Sequence, residues 1–517
     1  MSGEGGDEGR ALWGSRLGFL LAAIGSAVGL GNIWRFSYTA YANGGGAFLI
    51  PYFTALLVAG IPLMILEYAI GHSQRGSTPL AFFKIKKQWE IVGWWLPMVA
   101  TIAVLFFYAV VIAWCVDYFT FSFTLGWGND TAKFFMEYLK ASGSASTLGD
   151  LNIRVAATTA LVWAACWAIC YREINHGIEK ACLVFMPLLL LLTAVLVVAS
   201  LTLDGAVDGI KMYLKPDFNK IDLFHNPNAW KVWTSAFGQI FFSLSLGFGI
   251  MITYASYLPK KTDIVGNAVW TCVANCAYSI FAGFAVFGVL GFMAHEQGVG
   301  IAEVAKPGGA LAFIVYPKAI SQLPFPGTLR NLFGAAFFLA LVIAGISSAI
   351  SLVEALVCAI TDKFKIKRGN VVTFLCVAGF LGSMTYVSSA GSSIMDVVNA
   401  YADQALILGG LLECLLVAWI MKASVARQHV NDSGGIHLPK IWEFMVKYVT
   451  PAVLIVILYL DIKGTVSLFT TGKADVAAHV IYGLRIIATT ALFAWGLTMF
   501  KWYRKSPHKP EEEHILT

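Results

Sequence analysis

Gly25-Ser-Ala-Val-Gly-Leu-Gly-Asn-Ile-Trp-Arg35 sets three glycines, an asparagine and an arginine inside an apolar segment of helix length. A segment that only crosses lipid has no use for them. Backbone N–H and C=O groups at bilayer depth must be hydrogen-bonded or turned toward a protein-lined cavity, so a break here implies that the freed groups bind an ion, a small molecule, or both. The surrounding composition agrees with a membrane setting. Over 517 residues, 58% are hydrophobic, 14% aromatic and only 13% charged, which is far too apolar for a soluble chain of this size.

Apolar runs of about 20 residues, enough to cross ~30 Å of hydrocarbon, begin near positions 17, 46, 92, 155, 178, 232, 265, 329, 371, 396, 445 and 479. They predict an all-α membrane protein of about twelve transmembrane helices. Longer hydrophilic connections are expected only near 124–153, 204–230, 294–326 and 423–443, with no separate soluble module.

Basic residues recur in alternate connections: Arg75, Lys84, Lys86 and Lys87; Arg172 and Lys180; Lys260 and Lys261; Lys363, Lys365, Lys367 and Arg368; Lys422 and Arg427; and Lys501, Arg504, Lys505 and Lys509. The positive-inside bias then places both termini in the cytoplasm of an integral plasma (inner) membrane protein. Topology accounts for these charges, so a nucleic-acid partner is not expected. The acidic first residues argue against a cleaved signal peptide, and the charged, Pro-containing tail reads as a solvated, disordered end. All nine cysteines lie in or beside apolar segments, which favours packing over a disulfide framework or a metal site. Asn129-Asp-Thr131 is a sequon in an expected outer loop.

A second break, Gln239-Ile-Phe-Phe-Ser-Leu-Ser-Leu-Gly-Phe-Gly249, falls in the sixth apolar segment. Paired Gly-interrupted segments in corresponding places of two five-helix halves point to an inverted repeat with a site near the midplane. The divisions that follow are an N-terminal segment 1–16, a first repeat 17–205, a second repeat 206–422, helices eleven and twelve over 423–505, and a tail 506–517. No nucleophile and base, metal cluster or phosphate loop is evident, so an enzyme is not expected.

Both breaks, with Arg16-Leu-Gly18, Gly29-Leu-Gly-Asn-Ile-Trp-Arg-Phe36, Asn43-Gly-Gly-Gly-Ala-Phe48, Thr253-Tyr-Ala-Ser-Tyr257 and Ala344-Gly-Ile-Ser-Ser348, resemble the neurotransmitter:sodium symporter family, its prokaryotic amino-acid members included. The matches run in order from Arg10 to about Glu413, while the last two helices are generic. The resemblance implies sodium-coupled symport by alternating access, with a small-molecule amino-acid substrate, a lipid environment, and compatibility with a homodimer. One sodium ion would sit on Ala27, Asn32, Ser243 and Asn275, completed by the substrate carboxylate. A second would sit on Gly25, Val28, Ala344, Ser347 and Ser348. Taken singly, each Ser or Asn reads as a helix-packing hydrogen bonder. The strings in register change that reading.

The exposed N–H groups around Leu30 and Gly31 suit a carboxylate at a half-helix N-terminus. By resemblance Tyr108 bonds the same carboxylate and closes over it with Phe242, and the amine meets Ala27, Phe242, Ser243 and Ser348. Val104, Ser245, Phe248, Ala349 and Leu352 would line an apolar pocket for a neutral side chain. Gly29 occupies the position where monoamine carriers have an Asp, which favours an amino acid over an amine. Alternatives are an osmolyte or ω-amino-acid carrier (taurine, GABA-like, betaine) and a sensor that does not transport.

Ser279 stands where many chloride-independent members have an acid, and Tyr52, Gln239, Ser243 and Asn275 match the remaining chloride positions. Two sodium ions in a low dielectric need a compensating anion, so one chloride ion is expected; otherwise Glu67, Glu354 or Glu413 compensates. Acids at the positions of Glu67 and Glu413 brace the broken helices in relatives. Arg35 would close the outer gate with Asp396 or Asp403, Asn399 standing at the usual acid position. Arg10, Ser256, Tyr257 and Asp362 would form the inner gate.

Overall fold

The computed structural model describes residues 11–140, 148–305, 311–471, 475–505 and 513–515. The expected N-terminal segment up to Arg10 and the tail residues 506–512, 516 and 517 lie outside them. Ten helices among the described residues are long and apolar enough to cross a bilayer, and Arg16–Ala27 with Leu30–Ala42 forms an eleventh span bent by 68°. A second interrupted helix, Ala229–Ser243 followed by Ile250–Ala255, brings the set to the expected twelve.

In chain order these are α1 (Arg16–Ala27 and Leu30–Ala42), α2 (Gly45–Gln74), α3 (Lys87–Ser122), α4 (Ile153–Cys170), α5 (Ile178–Leu201) and α6 (Ala229–Ser243 and Ile250–Ala255). They continue as α7 (Ile264–Gln297), α8 (Gly327–Phe364), α9 (Arg368–Val387), α10 (Gly391–Ser433), α11 (Ile441–Thr470) and α12 (Val476–Thr498). Strands β1 (Tyr503–Lys505) and β2 (Glu513–Ile515) pair antiparallel after α12.

Several starts are capped by side chains, which satisfy donors that a helix cannot use internally. Ser15 Oγ accepts the Gly18 N–H at 2.9 Å at α1, and Asp263 Oδ1 accepts that of Gly266 at 2.9 Å at α7. Uniformly apolar helices must face either protein or lipid. The most apolar windows of α3, α7 and α8 are 83%, 78% and 72% buried, against 11% and 22% for α11 and α12, so the first three form the centre and the last two face lipid. The stretch 423–443, expected as a connection, is helical to Ser433. Lys422 has φ 73°, and the residues beyond it pack against the end of α2, where His429 meets His72.

The α1 break is made by two extended residues, Val28 (ψ 98°) and Gly29 (ψ −168°). In α6, Ser245 (φ 55°), Gly247 (φ 75°) and Gly249 (φ 74°) turn the chain through left-handed conformations. At Gly247 a Cβ would lie 2.6 Å from the Leu406 carbonyl, so glycine meets both the φ and the close approach of α10. The two breaks face each other, with Ser245 Oγ donating to the Ser26 carbonyl at 3.1 Å.

Candidate substrate and ion site between the broken helices

A cavity of about 30 Å³ lies between the breaks, lined by Ser26, Ala27, Gly29, Gly31, Asn32, Val104, Tyr108, Phe242, Ser243, Ser245, Phe248, Ser348 and Leu352. That room exceeds the ~10–15 Å³ that one water needs and suits a few waters at most. A larger guest therefore requires Phe242, Phe248 and Leu352 to draw apart. Eleven of the thirteen residues expected to contact substrate line the cavity; Leu30 and Ala349 do not. Leu30 instead offers its N–H to Tyr108 Oη at 3.2 Å, and Ala349 is buried in α8. Ser26 lines the cavity without having been expected there; its hydroxyl bonds Ser351 at 2.8 Å.

Gly29 is held by contact as well as conformation. A Cβ there would meet Tyr108 Oη at 2.8 Å and Ser348 Oγ at 3.0 Å. The cavity thus has no room for a side chain at this position, and no charged side chain enters its lining.

Below the cavity, Asn32 Oδ1 accepts the Gly29 N–H at 2.9 Å, which fixes the orientation of its amide. Its Nδ2 then faces Ser243 Oγ at 3.0 Å, Asn275 Oδ1 at 2.8 Å and Ser279 Oγ at 2.8 Å. Two hydrogens serve three oxygens. Asn275 Nδ2 also donates to Ser243 Oγ at 2.7 Å, so the amides and hydroxyls hold one another; their gathered oxygens are the ligand type a hard cation such as sodium takes once the Asn32 amide turns its oxygen toward them. The other expected sodium ligands also converge: Ser348 Oγ lies 3.4 Å from the Gly25 carbonyl and 3.3 Å from that of Ala344, which also accepts Ser347 Oγ at 3.0 Å. Val28 is buried at the same break.

On the other side of Ser279 polar groups are left unpaired. The hydroxyl of Tyr52, beside Cys276 and Ser279, and both amide atoms of Gln239 are buried without a hydrogen bond. Buried donors left unmade cost about 1–3 kcal/mol each, and an anion is the partner that suits a hydroxyl and an amide NH₂ together. Of the carboxylates that might compensate sodium, Glu354 and Glu67 are engaged elsewhere. Glu354 takes both guanidinium nitrogens of Arg368 and the Tyr257 hydroxyl at 2.9 Å, and Glu67 Oε1 accepts the Gly247 N–H at 2.9 Å. Glu413 lies against Glu67 and takes no N–H from the breaks.

Both approaches to the cavity are closed. On one side Arg35 pairs with Asp403 at 2.9 Å and its guanidinium lies 4.6 Å over the Phe242 ring. Asp396 is exposed and takes no part. On the other side Trp13, 5% exposed, plugs the end of α1: its N–H donates to the Tyr257 carbonyl at 3.1 Å and its indole to that of Tyr254 at 2.9 Å. Asp362 accepts the Ser77 N–H at 2.7 Å, and Ser256 Oγ donates to the Thr253 carbonyl at 2.6 Å. Arg10 lies outside the described residues. Trp13 and Arg368 were not singled out in the sequence, where a lone Trp and one Arg in a basic loop carry no distinguishing signal.

A profile of the sodium:neurotransmitter symporter family matches residues 10–138 and 128–492. The chain belongs to that family. It is 43% identical over 481 residues to an uncharacterized sodium-dependent transporter of Methanocaldococcus jannaschii, covering 92% of this chain and 95% of the relative. It is 33% identical over 495 residues to the human sodium- and chloride-dependent GABA transporter 2, covering 87% of this chain and 79% of the relative. Among solved structures, MhsT in complex with L-phenylalanine matches with TM-score 0.74 and 32% identity, over 88% of this chain and 100% of that one. This symporter is accordingly a sodium-coupled membrane carrier of a small molecule, not an enzyme.

Proposed function

We propose that this symporter carries a neutral amino acid with two sodium ions and one chloride ion. The observation that carries the reading is the pair of clusters on either side of Ser279: the gathered amide and hydroxyl oxygens of Asn32, Ser243 and Asn275, and the unmade donors of Tyr52 and Gln239. A cation suits the first once the Asn32 amide turns its oxygen inward, and an anion suits the second. The chloride-dependent name of the human relative supports the anion.

The substrate carboxylate is assigned to the Leu30 N–H and Tyr108 hydroxyl, and the side chain to Val104, Phe248 and Leu352. The apolar lining and the phenylalanine bound by MhsT favour a neutral aliphatic or aromatic amino acid. GABA is the second candidate, on the strength of the GABA transporter relative. Access alternates as α1, α2, α6 and α7 rock against the rest, within repeats 17–205 and 206–422. Arg35 and Asp403 close the outer face; Trp13, Tyr257 and Glu354 close the inner. The convergence of Arg75, Arg172 and Arg368 on the Trp13 side supports a cytoplasmic N-terminus.

One net positive charge moves per cycle, worth ~2.3 kcal/mol per 100 mV. Tenfold sodium gradients add about 1.4 kcal/mol per ion, so roughly 5 kcal/mol supports accumulation above a thousandfold. Equilibrium binding of a labelled panel (leucine, phenylalanine, tryptophan, alanine, GABA, taurine, betaine), with and without sodium, tests the assignment. Sodium-dependent binding of a neutral α-amino acid is expected. Binding of GABA, taurine or betaine alone would replace the amino acid by an osmolyte or ω-amino acid.

A further inference from the structure

His72, 2% exposed at the end of α2, and His429, near the end of α10, stand with Nδ1 of the first 2.8 Å from Nε2 of the second. The opposite nitrogen of His72 lies 2.8 Å from the carbonyl of Pro259, in the connection from α6 to α7. A carbonyl has no proton to give, so Nε2 of His72 is the donor there. A neutral His72 therefore presents a bare Nδ1, and His429 supplies the N–H that joins the rings. The tautomers of both rings are set by this one chain of bonds.

The contact tolerates one added proton, because a charged ring can donate to a neutral one. It does not tolerate two. With both imidazoles charged, the facing nitrogens are both N–H, and two positive charges sit where a hydrogen bond had been. Ser433 Oγ, 3.5 Å from His72 Nδ1 with its own proton given to the His429 carbonyl at 2.7 Å, offers an acceptor for the freed N–H. The charged groups facing the pair are Arg75, at the end of α2, and Asp432, in α10. Arg75 donates to the Leu258 carbonyl and opposes a further positive charge; Asp432 favours one on His429, and Lys261 of the α6–α7 connection lies on the Asp432 carbonyl at 2.9 Å.

On the proposed reading that α1, α2, α6 and α7 rock against the rest, the bond joins the end of α2 and the α6–α7 connection to the end of α10 across the line of that movement. We propose that the His72–His429 contact is a proton-released latch on the cytoplasmic face, holding it closed while at least one ring is neutral. The latched form excludes the doubly protonated pair, so it binds fewer protons than the released form. Linkage then requires the closed face to weaken as pH falls.

Hydrogen–deuterium exchange of the full chain in lipid nanodiscs, at pH about 7.5 and about 5 across the histidine range, tests the latch without depending on any substrate. After correction for intrinsic exchange, peptides over 256–262 and 424–433 should exchange severalfold faster at the lower pH in the wild type. His429→Gln should abolish that response, because an amide can donate or accept and does not titrate. His72→Gln is expected to do the same and serves if the first variant does not fold. An equal pH response in wild type and a Gln variant, or no response in the wild type, would overturn the proposal.

Discussion

Glu67 on α2 accepts the backbone N–H of Gly247, at the break in α6, over 2.9 Å in a fully buried setting. A helix interrupted at membrane depth loses its own acceptors, and this carboxylate replaces one. Glu67→Ala removes the acceptor and strands the N–H, at a cost of about 1–3 kcal/mol. Glu67→Gln keeps an oxygen in place and should cost less. Thermal unfolding in detergent checks the ranking; equal losses in both variants would show that charge, not acceptance of the N–H, matters there.

Gly29→Ala should impair substrate handling more than folding. The added methyl lies 2.8 Å from Tyr108 Oη and 3.0 Å from Ser348 Oγ, between the groups assigned to carboxylate and amine. Overpacking of about 1–3 kcal/mol at that spot corresponds to an affinity loss on the order of tenfold or more. Binding measured beside melting temperature separates the two effects. Unchanged affinity would remove Gly29 from the site.

Ser279→Glu supplies a fixed negative charge beside Tyr52 and Asn32. Uptake by the wild type should fall severalfold when gluconate replaces chloride, and the variant should be indifferent to the exchange. Wild-type uptake that is equal in both anions would remove chloride from the cycle and leave the Tyr52 and Gln239 donors to another partner.

Asp403→Asn should weaken closure over Phe242 and slow uptake, whereas Asp396→Asn should leave it near wild type. Arg35 bonds only the first of these two acids. The partly buried pair contributes on the order of 1 kcal/mol, so a several-fold change in rate is the expected scale. A larger effect at Asp396 would reverse the assignment.

The choice between those acids was illegible in sequence for a geometric reason. Asp396 and Asp403 are seven residues apart, about two helical turns, and therefore share a face of α10. Only the level at which Arg35 meets that face separates them. The breaks were legible because glycines and polar groups are expensive in an apolar helix. The continuation of α10 to Ser433 against the end of α2 was not, because residues 423–433 are polar and read as a connection until their packing is seen. Glu354 illustrates the same limit: as an intramembrane acid it was a candidate to balance sodium, but its partner Arg368 is presented by the next helix, and the sequence does not record that meeting.

Uptake of a labelled neutral amino acid into proteoliposomes, driven by an inward sodium gradient with inside-negative potential, tests the central claim. Concentrative, sodium-dependent uptake that collapses when a sodium ionophore is added is the predicted result. Equal uptake under a potassium gradient, or none for any neutral amino acid in the panel, would contradict it.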